Sequence, residues 1–398
     1  MGVPLRSASR LAPPGWITGT VLHLCAGRIA DPVSRLRFLR RSTVLVEERR
    51  TQAKRTMMAV AIGLSIVFMP TSSIITATSL LRQHAIPPPE RPSLQVPGKP
   101  ARIWLVEKKD DFEVYSNGLR IETRGEQYHS HRNLRAFDRR GPDKGQPDHP
   151  LVVAEPNRPA GIVFHTTESD IAPFEESHNR RLQILARGVL GYVRQIKAYH
   201  YLIDRFGRVY RVVKEDSIAN HAGNSIWGDS KRLYVNLNDS FLGVAFEAQT
   251  RPQDGFETIS EAQQHSGRIL TDMLRAKYGI TAENCVTHAQ VSVNPDNWGV
   301  GAHTDWAVGF PFAAMGLPDN YSIPLPSLTQ FGFTYDVSYV QLSEARLWKG
   351  LLLGHEEQRQ AANVAGMRLT EYRAELRRRY HGIYQSIKNQ STREDHQE

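Results

Sequence analysis

Apolar and polar positions divide this chain into stretches of different kinds. From Thr56 to Leu81 the run T-M-M-A-V-A-I-G-L-S-I-V-F-M-P-T-S-S-I-I-T-A-T-S-L-L contains no charge and no polar face. About 20 apolar residues span a bilayer, so this run predicts a membrane segment. Ile86–Pro100 (I-P-P-P-E-R-P-S-L-Q-V-P-G-K-P) is proline-rich and predicts a stiff, extended spacer over 82–100. Arg102–Glu107 then alternates apolar and polar residues, and Phe112–Tyr115 and Leu119–Thr123 flank Ser116-Asn117-Gly118, an Asn-Gly hairpin signal. These strands predict a small β unit which, with a polar, Pro- and Gly-rich loop, fills 101–154.

Further on, strand and helix periods interleave. Ile162, Val163 and Phe164 deliver His165 at the end of a short apolar run, as a buried strand would. Phe174–Lys197 spaces Leu182, Leu185, Val189, Val193 and Ile196 as one face of a helix. Ala198–Asp204 and Arg208–Val213 read as strands joined across Arg205-Phe206-Gly207, and Leu242–Glu247 as another strand. Ser260–Tyr278 is an amphipathic helix with Ser260 as its N-cap. Cys285–His288 is a short strand end, and a Gly-rich loop leads on to His303-Thr304-Asp305. This interleaving predicts an α/β domain over 155–318. From Leu342 to Ile387 the pattern is helical and heavily charged, so 319–398 reads as a helical extension, either packed on the domain or solvated.

With 398 residues, 40% of them hydrophobic, the chain can bury a full core, and its length suggests two or three units. The net charge of +9 is spread along the chain, with a local excess before residue 56. That distribution argues for a basic flank and a solvated surface, and against a nucleic-acid footprint. A basic surface is also compatible with a polyanionic wall polymer. The flank (Arg35, Arg37, Arg40, Arg41, Arg49, Arg50, Lys54, Arg55) precedes the charge-free run, so residues 1–55 stay inside and the rest is exported. Two alternatives stand for 56–81: a retained anchor, which would tether the protein to a membrane, or a signal cleaved near Ala77-Thr78-Ser79. For 1–55 they are a basic cytoplasmic leader or an over-extended start. Cys25 and Cys285 lie on opposite sides of the run, which predicts neither a disulfide nor a cysteine metal site.

Three candidate ligands, His165, His288 and Asp305, arrive at the ends of predicted elements. Two imidazoles and one carboxylate, with a fourth position left to water, are the donor set of a catalytic rather than a structural zinc site. Spacing alone does not select these three among 15 histidines. The surrounding motifs add what spacing lacks. They are the strand ending in His165, A-Y-H-Y-L-I-D-R-F-G-R-V-Y at 198–210, N-H-A-G at 220–223, L-G-V-A-F-E at 242–247, T-H at 287–288 and H-T-D…F-P-F at 303–312. From Gly161 to Phe312 the chain resembles the zinc N-acetylmuramoyl-L-alanine amidases of the phage-lysozyme and peptidoglycan-recognition-protein type.

The resemblance implies a mixed central β-sheet flanked by helices, with Zn²⁺ held by His165, His288 and Asp305. It implies cleavage of the amide between the muramic acid lactyl group and the L-alanine of the stem peptide, so peptidoglycan or muropeptides are the expected partners. Tyr199 matches the family tyrosine that faces the zinc-bound water; the alternative is an aromatic core residue. Some bacterial members have a glutamate where this chain has Ala245, so Glu247 and then Glu168 are candidate substitute bases. His303 stands where many members have a lysine that steadies the oxyanion, which makes its protonation state matter. Trp306-Ala307 replaces the Pro-Gly that usually follows the last ligand. His221 and Asn220 of N-H-A-G are expected to line the substrate groove, a structural turn being the alternative for His221. Two rival readings are a module of the same fold that binds muropeptides without cutting them, and a zinc hydrolase of another amide.

The topology is directly testable. A reporter active only outside the cytoplasm should work when fused after Pro100 and fail after Arg50; the reverse pattern would overturn the orientation.

Overall fold

A computed structural model describes residues 102–141, 146–151, 158–252 and 257–394; the basic leader, the charge-free run and the proline-rich spacer lie outside them. Among the described residues no helix is long and apolar enough to cross a membrane. In chain order the strands are β1 (Leu105–Lys108), β2 (Phe112–Tyr115), β3 (Arg120–Glu122), β4 (Phe137–Asp138), β5 (Gly161–Thr166), β6 (Tyr201–Ile203), β7 (Val209–Arg211), β8 (Ile226–Gly228), β9 (Arg232–Val235), β10 (Phe241–Phe246), β11 (Cys285–Thr287), β12 (Val293–Asn294) and β13 (Gly299–Val300). The helices are α1 (Asn179–Gln195), α2 (Glu261–Tyr278), α3 (His288–Val291), α4 (Pro326–Phe331), α5 (Val337–Val364) and α6 (Leu369–Glu394).

Eight strands form one mixed sheet in the order β1-β2-β3-β7-β6-β10-β5-β11. The four from β6 to β11 run parallel. Parallel strands are covered on both faces, and every residue of β5 and β10 is buried. These two pair in register from Phe241 opposite Gly161 to Phe246 opposite Thr166, which sets Ala245 beside His165. The pairing needs glycine at its start. A Cβ on Gly161 would lie 2.1 Å from Phe241 and 2.5 Å from the Asn284 carbonyl.

Side chains alternate along the strands, so Ala245 and Leu202 meet Val193 of α1 on one face. Phe246, Val244 and Tyr201 meet Leu270, Met273 and Leu274 of α2 on the other. Helix α2 has the expected cap: Ser260 accepts from Gln263 N, and Gln263 answers in a capping box. Helix α1 begins at Asn179, later than its apolar spacing suggests. Phe174 is drawn out of it to pack beside Phe206, 5.8 Å away between centroids, and beneath Arg205.

One boundary differs from the reading of the sequence, and one open alternative is decided. The small β unit joins the main sheet, because β3 pairs in parallel with β7 through Ile121–Val209 and Glu122–Tyr210. Arg211 clamps that seam with two 3.0 Å bonds to the buried Glu113 carboxylate and one of 2.6 Å to Glu126. The helical extension also belongs to the core. Tyr321, Leu325, Leu328, Phe331, Leu347, Leu351, Tyr380 and Ile383 are buried in one cluster with the sheet. Ahead of α4, Asn320 donates to the carbonyls of Ala282 (2.7 Å) and Cys285 (2.8 Å) and accepts from Gln290 (2.9 Å). Helix α5 breaks its regular backbone at Glu344 (φ +52°). Part of the charge on α6 is turned inward, since Arg379 bonds Asp148 at 2.9 Å and the Asp138 carbonyl at 2.7 Å.

A chain ended at Pro318 should therefore lose its cooperative thermal transition, since Phe331 alone is a side chain whose removal costs about 3–5 kcal/mol. Circular dichroism melting of residues 102–318 beside 102–398 decides the point. Equal melting temperatures would mean that α4 to α6 are not part of the core.

Candidate metal centre

His165 is carried near the carboxyl end of β5 and His288 directly follows β11, so both stand at the same edge of the parallel strands. Thr287 caps α3 in a capping box with Gln290, which fixes His288 at the first position of the helix. Asp305 comes from the turn Thr304–Ala307, and its carbonyl accepts from Ala289 N at 3.2 Å. The carboxylate then reaches both rings. Oδ1 lies 2.7 Å from Nδ1 of His288, and Oδ2 lies 3.0 Å from Nδ1 of His165.

The electrostatics of the trio suit a cation. His165 is 1% exposed, and burial pushes its pKa down to about 4, so the ring is neutral. Burial alone would raise Asp305, but His288 and the bonds from both imidazoles outweigh it and hold the carboxyl well below its usual range. One ligand atom from each of the three lies within 4.8 Å of the others. Two imidazoles and an ionised carboxylate so placed fit zinc's preferred donors.

Trp306 locks the loop that delivers Asp305. Its indole is fully buried against Phe246 and Phe310, and its backbone takes φ +56°. Its amide donates to Thr250 Oγ1 (2.8 Å), whose hydroxyl and amide both donate to Glu168 Oε1 (2.8 Å each). Glu168, also at positive φ, accepts from Thr166 as well. Its carboxylate is thus a clamp between β5 and the Asp305 loop, not a free base. Thr250 had no signal of its own in the sequence, because its partners lie more than fifty residues away.

Tyr199 turns the chain after α1 at φ +61° and holds its ring 5.0 Å from that of His165. Burial first, then the Asp305 charge, raises its pKa, so the phenol keeps its proton. His303 stacks on His288 with centroids 4.6 Å apart and planes 18° from parallel. Desolvation there, with His288 next in weight, lowers its pKa, which favours the neutral ring as a donor. Beside Tyr199, a cavity of about 320 Å³ opens between α1 and the strand ends, lined in part by Thr167, Ser169, Val189, Tyr192 and Ile196.

The structure gives three of the candidates other partners. His221 does not line that cavity; it is buried behind His165, with ring nitrogens 3.2 Å apart. Asn220 is exposed, and its amide donates to the Ile196 carbonyl (3.0 Å), which braces the end of α1. Glu247 lies past the last residue of β10, 1% exposed, and accepts from Arg205 N at 3.2 Å. Among the described residues its Oε1 has no partner, and no hydrogen bond joins it to the trio.

The mixed sheet thus gathers two imidazoles and a carboxylate at the carboxyl edge of its parallel strands. Residues 155–306 match the family model described as N-acetylmuramoyl-L-alanine amidase. A search of curated proteins gives no match. Among solved structures, the chain is similar to the N-acetylmuramyl-L-alanine amidase AmiD of E. coli (17% identity, 55% of this chain and 97% of that one, TM-score 0.36). It is also similar to AMPDH3 of Pseudomonas aeruginosa (21% identity, 44% of this chain, TM-score 0.31), of which it covers just under two thirds, 66%. A third similar structure is the Drosophila peptidoglycan recognition protein SD (17% identity, 44% of this chain and 85% of that one, TM-score 0.26).

Burial raises Glu247 from 4.5 to about 7, so the native state holds a proton that the unfolded chain releases. Its contribution is full below pH 4.5 and is lost as pH rises towards 7. Glu247→Gln should leave stability at pH 4 nearly unchanged and raise it by ~1–3 kcal/mol at pH 8. Urea denaturation at the two pH values checks this, and an equal effect at both would show that the carboxyl is not desolvated.

Proposed function

We propose that this chain is a zinc hydrolase of peptidoglycan, cutting the amide between N-acetylmuramic acid and the L-alanine of the stem peptide. One observation carries the reading: the convergence of His165, His288 and Asp305 within the stretch that matches the amidase family model. The Nδ1 atoms of the two histidines and the Asp305 carboxylate would hold the metal. Zinc, when bound, supplies Lewis-acid polarisation of the carbonyl and a water acidic enough to attack it near neutral pH.

The chain's own groups supply the rest. The protonated Tyr199 phenol, beside His165, is a donor for the oxyanion that develops as the amide carbonyl is attacked. The neutral His303 ring, stacked on His288, is a second donor on the loop that carries Asp305. The cavity beside Tyr199 offers the substrate an apolar wall from α1. The basic flank and charge-free run support an extracytoplasmic location, tethered or secreted, where peptidoglycan is found.

The test is digestion of purified sacculi with mass spectrometry of the new ends, alongside metal analysis. The expected products are stem peptides with a free L-alanine amine, about one zinc per chain, and loss of both in His165→Ala. Tyr199→Phe should lower kcat by ~10²-fold while zinc content stays unchanged. Zinc retained by both His165→Ala and His288→Ala would overturn the site. Muropeptides bound but left uncut would make the chain a recognition module instead.

A further inference from the structure

His165 is held from both sides. Its Nδ1 faces the Asp305 carboxylate at 3.0 Å, as Nδ1 of His288 does at 2.7 Å, so Nδ1 is the nitrogen directed at the ligand cluster. An imidazole that gives Nδ1 to a metal carries its proton on Nε2, so in the metal-bound state the Nε2 of His165 is the N–H. That nitrogen lies 3.2 Å from Nδ1 of His221, which therefore accepts. The Nε2–H of His221 in turn points to the Phe241 carbonyl at 3.3 Å. Every nitrogen in this chain of contacts has one consistent role, and all of them lie in the interior.

The pocket around His221 is built for its ring. A Cβ on Gly243 of β10 would lie 2.7 Å from His221 Cγ, so only glycine leaves the ring its place. Asn238 Oδ1 accepts from the amides of His221 (3.1 Å) and Ala222 (2.7 Å), which fixes the loop. His200 closes the far side, 5.6 Å from His221 between centroids; its Nδ1 accepts from Gly243 N at 3.0 Å, and its Nε2 lies 3.0 Å from the Ser217 carbonyl and 2.7 Å from Arg132 Nη2. His288 has no such support. Its Nε2 is buried without a hydrogen-bond partner among the described residues, and its ring leans on His303 instead.

We propose that His221 is a positioning residue for the metal ligand His165. By accepting the Nε2–H of His165 it fixes the tautomer that leaves Nδ1 bare and keeps the ring turned to Asp305, with Gly243 providing the space. This rests on the reading of His165, His288 and Asp305 as zinc ligands. Groups that brace a ligating histidine in this way change metal affinity by about 10–100-fold when removed.

The experiment is zinc affinity of the full chain by chelator competition. His221→Leu should bind zinc ~10–100-fold more weakly. His221→Asn, whose Oδ1 falls where Nδ1 stood, should stay within a few-fold of wild type, and Gly243→Ala should weaken binding by displacing the ring. Equal affinity in wild type and His221→Leu, or equal loss in the Leu and Asn variants, overturns the proposal. Wild-type protein that binds no zinc overturns the metal reading itself, a separate outcome. A second measurement needs no variant: nitrogen-15 NMR of histidine-labelled, zinc-loaded wild type should show the Nε2–H tautomer for both His165 and His221. An Nδ1–H tautomer at His165 overturns the proposal whatever the variants do.

Discussion

One desolvated carboxylate sets the terms for this site. Asp305 is enclosed, ionised and bonded through separate oxygens to two imidazoles from different elements. A buried negative charge is tolerated only when positive or hydrogen-bonding groups meet it from every side. The in-register pairing of β5 with β10 sets the height of His165, the Thr287 cap sets the first turn of α3, and the buried indole of Trp306 sets the loop. A slip of one residue in any of them would leave the carboxylate facing a gap.

The imidazoles behind the cluster extend the same logic inward. His165, His221 and His200 form a file that ends at Arg132, which is itself fully buried and bonded to the carbonyls of Glu215, Asp239, Phe241 and Ser217. Four cations in such a file would repel one another. Burial lowers the pKa of each of these histidines, so the guanidinium alone carries charge and the rings act by direction of their protons. The rigidity of the site thus comes from hydrogen-bond polarity rather than from charge.

What could be read in the sequence follows the range of the interactions. The strand ending in His165, the α2 helix with its Ser260 cap and the short strand before His288 are local patterns, and the structure contains them at nearly the expected residues. The three ligands needed motifs in family order, because nothing local separates them from other histidines. The pairing of β3 with β7 was invisible, since it joins residues almost ninety positions apart through strands of three residues. Whether α5 and α6 pack or stand in solvent depends on which core they meet, which charge density does not reveal. The face to which N-H-A-G turns is decided by a missing Cβ on another strand.

Asn320 gives this architecture a property that belongs to motion rather than to geometry. Its side chain satisfies the carbonyls of Ala282 and Cys285 at the edge of the sheet, and Cys285 opens the strand that leads straight to His288. The segment leading into the C-terminal helices and one arm of the metal cluster therefore share a single opening event. Undocking that segment would strip the edge strand of its cover and loosen His288 at the same time. In hydrogen exchange, the amides of β11 and those of the turn around Asn320 would then belong to one protected unit, and metal retention would track the docking of a segment thirty residues further along the chain.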